Sequence, residues 1–162
     1  MLNQALLLEL KHEAASTRKI LERVPTDKWD WKPHDRSMTL GRLASHMATI
    51  PDYMTLTLTT DELDFAEGTY RPATPTSTET LLDVFNASYE KALQTLEGTN
   101  DETLQGMWSL KNGGHTIFTL PRMAALRSFV MNHLIHHRGQ LSVYLRLLDV
   151  PVPGMYGPSA DD

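Results

Sequence analysis

From Pro121 to Leu148 no further proline interrupts the chain, and Leu126, Val130, Leu141, Tyr144 and Leu148 recur at the period of one helix face. Pro121 suits the first turn of such a helix, because its missing N–H has no intrahelical partner there. Three other stretches share this pattern. Leu6, Leu10, Thr17, Leu21 and Val24 mark a first helix stopped by Pro25. Leu43, Met47, Ile50 and Met54 mark a second that starts near Thr39, in which Pro51 is expected to introduce a kink or an early end. Ser77 reads as the N-cap of a third, with Leu82, Phe85, Tyr89, Ala92 and Leu96 inward and Gly98 at its end. Trp29 and Trp31, in the first connector, are expected to plug one end of the core. Residues 99–120 have another texture: Asn112-Gly113-Gly114 separates short β-branched runs and predicts a small hairpin. The expected fold is all-α, a four-helix bundle in a single domain over residues 1–162, with one long connection carrying the hairpin before the last helix.

Bulk properties narrow the function. The 162 residues are 41% hydrophobic and 22% charged, as in an ordinary globular domain. A net charge of −5 without a basic run gives no reason to expect nucleic acid. The chain has no cysteine, which excludes disulfides, thiolate ligands and a cysteine nucleophile. No apolar run approaches the roughly 20 residues that span a bilayer. The N-terminus "MLNQALLLELKHE" lacks the features of a secretory signal, so the expectation is a cytoplasmic protein without membrane partners.

The segment "NHLIHHRGQL" places three of the seven histidines within five positions. At 100° per residue, His137 falls within about 10° of the apolar centre, His133 within about 50°, and His136 about 110° away. His133 and His137 are therefore the inward pair, one turn apart, the spacing by which one helix offers two imidazoles to one ion. Two ligands hold a divalent ion poorly. His46, in a row with Ile50, Tyr53 and Thr57 on the second helix, is the candidate third. Three neutral histidines leave coordination positions open, as in catalytic rather than structural sites. The competing reading is a set of hydrogen-bonded core histidines. His12, His34, His115 and His136 are expected on surfaces or loops, and the Glu9–His12 pair points away from the core, so no di-iron centre is expected.

Supporting roles follow from position. Gln140 lies one turn beyond His137 and can orient a ligand or water. Glu13 lies at the edge of its stripe, as a base behind the ligands or, the preferred reading, a surface acid. Arg138 points away from the apolar centre and is expected at the surface or an interface. Tyr53 and Tyr144 share faces with the ligand histidines, to line a pocket or simply to pack. Met131 and Ile135 lie opposite the stripe, which suggests a second buried surface and a homodimer.

The segments "LERVPTDKWDWKPHDRSMTLGRLASHMATIPDY" and "NHLIHHRGQLSVYLRLLDVPVPGMYGPSADD" together resemble the DinB/YfiT-like superfamily, and the resemblance spans most of the chain. It implies a four-helix bundle, often dimeric, that binds a divalent metal through three histidines, here His46, His133 and His137. Characterised relatives include thiol-dependent transferases and isomerases. The implied function is a metal-dependent enzyme acting on a small-molecule substrate, as a thiol-dependent S-transferase or a hydrolase. The implied cofactors are zinc or nickel ahead of iron or manganese, with a low-molecular-weight thiol. Because the chain has no cysteine, that sulfur would arrive on a diffusible molecule. The alternative is a non-catalytic, stress-related metal-binding or scaffold bundle.

Overall fold

The computed structural model describes residues 2–162 and is mostly helical, with a small sheet inserted ahead of the last helix. The long helices are α1 (Leu2–Leu21), α2 (Leu40–Thr59) and α3 (Thr78–Glu97), with α6 (Asn132–Leu147) last. α1 and α2 each pack against both α3 and α6. The apolar faces read from the sequence meet in one core: Leu6, Leu10, Leu43, Met47, Ile50, Met54, Phe85, Ala92 and Leu96 are all buried. Among the described residues no helix is long and apolar enough to cross a membrane.

Local chemistry sets the helix ends. Thr39 caps α2 by accepting from the Arg42 amide. Ser77 and Thr80 form a reciprocal capping box on α3. Gly98 ends α3, though in right-handed rather than left-handed geometry. On α3 it is Leu81 that is fully buried, while Leu82 is half-buried. Pro51 does not shorten α2, which runs through it to Thr59. A proline inside a helix costs about 3 kcal/mol. Met47, Ile50 and Met54 around it are fully buried, each contributing about 1.5–3 kcal/mol, and that burial outweighs the defect.

The all-α expectation needs correcting. The hairpin is present as β2 (Met107–Asn112) and β3 (His115–Pro121), turning at Gly113 and Gly114, whose φ values of 61° and 76° need glycine. A third strand, β1 (Glu62–Asp64), pairs parallel to β2, so the sheet is three-stranded and mixed. Asp64 explains this addition: one carboxylate oxygen accepts from the amides of Ala66 and Gly113 and the other from Gly114. No hydrophobic period announces so short a strand. A five-residue helix, α4 (Asp101–Gln105), leads into β2. Trp108 is buried and carries the sheet onto the end of α2 by donating to the Thr60 hydroxyl at 3.3 Å.

The last helical run is not uniform. α5 (Arg122–Ala125) passes into a π-helical turn at Leu126–Met131 and then into α6. The wider turn rotates the downstream face by about one residue. Beyond it the fully buried positions are Leu134, Arg138, Leu141 and Leu145, whereas Tyr144 and Leu148 are only half-buried. Met131 is buried within the chain itself and Ile135 is half-buried, so Met131 presents no second surface and gives no argument for a homodimer. Trp29 and Trp31 pack on the core end as expected. The Trp29 indole lies over Gly41, and the Trp31 ring meets Tyr144 edge-on at 5.6 Å.

Candidate metal centre

α2 and α6 cross where His46 faces His133 and His137. The three ring centroids lie 4.6–4.9 Å apart, and one ligating nitrogen from each falls within 4.8 Å of the others. The two nitrogens Nε2 of His46 and Nε2 of His133 are 3.1 Å apart. Burial between the helices supplies the electrostatics. Burial, then the neighbouring His133 and His137 and the Arg42 guanidinium, lower the His46 pKa to about 4. Burial, then His137, lowers His133 to about 4, against an opposing hydrogen-bonding influence of the Phe129 backbone. His137 is shifted down by burial, with Gln140 opposing. All three are neutral at pH 7, the form in which imidazole binds a metal.

Gln140 sets the tautomer of one ring. Its Oε1 lies 2.8 Å from Nδ1 of His137, and its Nε2 donates to Nε2 of His136 at 3.0 Å. Nδ1 of His137 therefore carries the proton and Nε2 is left for coordination. Gln140 is thus hydrogen-bonded to His137, the contact that an orienting role needs. His136 is exposed, on the flank, and touches the trio only through Gln140 and the His137 ring. Nδ1 of His133 is buried without a well-formed hydrogen bond, and Tyr53 and Phe129, themselves 5.0 Å apart, lie beside its ring at 6.5 and 6.0 Å.

The donor set fits a divalent ion. Two nitrogens bound to one tetrahedral zinc at 2.0–2.1 Å stand about 3.3 Å apart, near the observed 3.1 Å. Three neutral nitrogens and no carboxylate leave positions open, and an open cleft of about 340 Å³ borders His46, between α2 and the connector segment Pro72–Thr74. On the other side His133, with Phe129 and His136, borders a shallow surface open to solvent.

Other expectations separate here. Tyr53 lines the site, but Tyr144 packs on Trp31 and donates to the Met38 carbonyl. Arg138 and Glu13 are not surface residues. They are 2% and 5% exposed and form an ion pair of 2.5 Å between α6 and α1. The π turn is the cause, since it brings Arg138 rather than Tyr144 to the centre of the inward face. Glu13 therefore lies in the core between α1 and α6, bonded to Arg138 and Tyr156 rather than to a ligand histidine.

Some contributors carried no sequence signal. Asp52 accepts from Ser88 at 2.8 Å and from Tyr70 at 3.0 Å, tying α2 to α3 and pinning the connector that forms the cleft wall. Phe129, which buttresses His133, rests in turn on Trp108 of the sheet at 5.9 Å. Arg42 was legible in principle, since it precedes His46 by one turn on the same helix.

Comparison with known proteins places these features in a group. The model of the DinB family matches residues 1–162. An uncharacterized protein of Bacillus subtilis, YrdA, is 29% identical over 93% of this chain and 85% of its own length. The crystal structure of a DinB-like protein from Bacillus cereus has 26% identity and a TM-score of 0.73, covering 94% of this chain and 97% of that one. A second DinB-like structure, YjoA of Bacillus subtilis, shares the fold at 20% identity with a TM-score of 0.70, over 91% and 96% of the two chains.

Proposed function

Since this chain belongs to the DinB family, we propose that it is a divalent-metal-binding protein that acts on small molecules through His46, His133 and His137. The observation that carries the reading is the convergence of three neutral imidazoles on one point with an open cleft beside it. A divalent ion held there supplies Lewis acidity, lowering the pKa of a thiol or water that enters its open positions. The protein's own part is positional. Gln140 holds His137 in the tautomer that offers Nε2, and Phe129 and Tyr53 pack together beside the His133 ring. Burial keeps the rings unprotonated. The cleft beside His46 gives a small molecule access to the trio, and the chemistry such an ion would support there is transfer from a low-molecular-weight thiol to an electrophile, or hydrolysis. Any sulfur must be diffusible, since the chain contains no cysteine.

The test uses protein purified without a histidine tag. Elemental analysis should find close to one divalent metal per chain in the wild type and little in His137→Ala, with His136→Ala unchanged. Thiol-dependent consumption of an electrophile such as 1-chloro-2,4-dinitrobenzene should disappear on metal removal and return with zinc or nickel. A full metal complement in His137→Ala would overturn the assignment of the site. Turnover indifferent to metal would overturn the chemistry.

A further inference from the structure

The cleft beside His46 has an uneven chemistry. Its floor is the first half of α2, with Arg42, Ser45, His46 and Thr49, and its walls are Met38 and the segment Pro72–Thr74. Apart from Arg42 no charged side chain lines it, and no acid does, in a chain whose net charge is −5. Arg42 is exposed and, like Arg23, Arg36 and Arg71, has no ion-pair partner among the described residues, but of these four it alone lines this cleft. The nearby carboxylate of Asp52 is engaged by Ser88 and Tyr70.

The guanidinium, rather than the helix terminus, is the feature that can hold an anion. The first amides of α2 are already used: Leu40 donates to the Trp31 carbonyl at 2.7 Å, Gly41 to that of Trp29 at 2.9 Å, and Arg42 to the Thr39 hydroxyl at 3.2 Å. Arg42 and His46 line the same cleft. One helical turn, about 6 Å along the axis, separates the two residues. A molecule of a few carbons bridges that distance.

From this arrangement we infer that the cleft is an anion subsite, in which Arg42 binds the carboxylate of a small substrate or thiol whose other end reaches the three histidines. Planar guanidinium donors match a carboxylate in two parallel hydrogen bonds. Met38, Pro72 and Ala73 cover the short apolar stem between the two ends. The inference deepens the function proposed above and rests on the same trio, because it names the class of molecule that site accepts.

Succinate is the probe, with neutral succinamide as control, followed by backbone-amide NMR at constant ionic strength. Succinate should shift the amides of Ser45, Ala73 and Thr74 saturably, and succinamide should not. Arg42→Gln should weaken succinate by about tenfold or more, the loss expected of a charge-assisted pair. Arg42→Lys should keep part of the affinity. Arg23→Gln, in a different cleft beside Glu22, should keep all of it. Equal affinity in Arg42→Gln, equal binding of succinamide, shifts centred elsewhere, or no saturable binding would each overturn the subsite. Metal content measured on the same samples separates the two readings. Arg42-dependent binding without metal in the wild type supports the subsite and removes the metal function. Normal metal with Arg42-independent binding does the reverse.

Discussion

The guanidinium of Arg138 on α6 donates to Oε2 of Glu13 on α1 across 2.5 Å, inside a core that leaves the two residues 2% and 5% exposed. The same guanidinium donates to the Glu13 carbonyl and the Thr17 hydroxyl, at 3.1 and 3.3 Å. Tyr156, from the C-terminal tail, donates to Oε2 of Glu13 at 2.9 Å, and the Arg138 guanidinium lies over its ring at 5.1 Å. Arg138 follows His137 directly, so this pair fixes the rotation of the helix that carries two of the ligand histidines.

Breaking such a pair from one side leaves a buried charge without a partner, which costs about 3–5 kcal/mol. Glu13→Ala and Arg138→Met should each lower the unfolding free energy, measured by urea titration, by that much. The double variant should lose clearly less than the sum. Additive losses in this cycle would show that the two residues act separately.

Gln140 touches no expected substrate position but holds Nδ1 of His137. Gln140→Leu should leave the circular dichroism spectrum and melting temperature of the metal-free protein nearly unchanged. Its zinc affinity, measured by competition with a chelator, should fall by about 10–100-fold. An unchanged zinc affinity would mean that the bond does not orient the ligand.

His46 and His133 have pKa values near 4 in the folded chain, against 6.5 for an unperturbed histidine. The folded value lies below the unfolded one, so the unfolded state binds more protons between them and acid favours unfolding. Metal-free protein should therefore be most stable above about pH 6.5 and lose stability steadily toward pH 4, with no further loss from these two groups below that. Denaturation midpoints across this range should show the slope in the wild type. His46→Gln/His133→Gln should flatten it.

A Cβ on Gly41 would stand 2.1 Å from Nε1 of Trp29. Gly41→Ala should destabilise by about 1–3 kcal/mol, as overpacking does, despite alanine's better helix propensity. Trp29→Leu in the same chain should restore part of the loss, and thermal melts of the three variants decide it.

The paired inward histidines were legible because side-chain direction repeats along a helix whatever surrounds it. His46, His133 and His137 meet as their spacing indicates, and His136 stays on the flank. Arg138 and Met131 were misread for one reason: the π turn at Leu126–Met131 breaks the constant rotation that a linear period assumes. Nothing in the local composition announces that turn.

By itself, then, the sequence determined the long helices, the cap of α3, the hairpin turn and which side of α1, α2 and α3 is apolar, because these depend on neighbours within a few residues. Only the tertiary structure decided that β1 joins the hairpin, that Arg138 and Glu13 pair in the core, and that Arg42 is left free in a cleft beside His46. Each of those depends on a partner tens of residues away, where the energy of a contact is set by what it meets and not by what surrounds it in the chain.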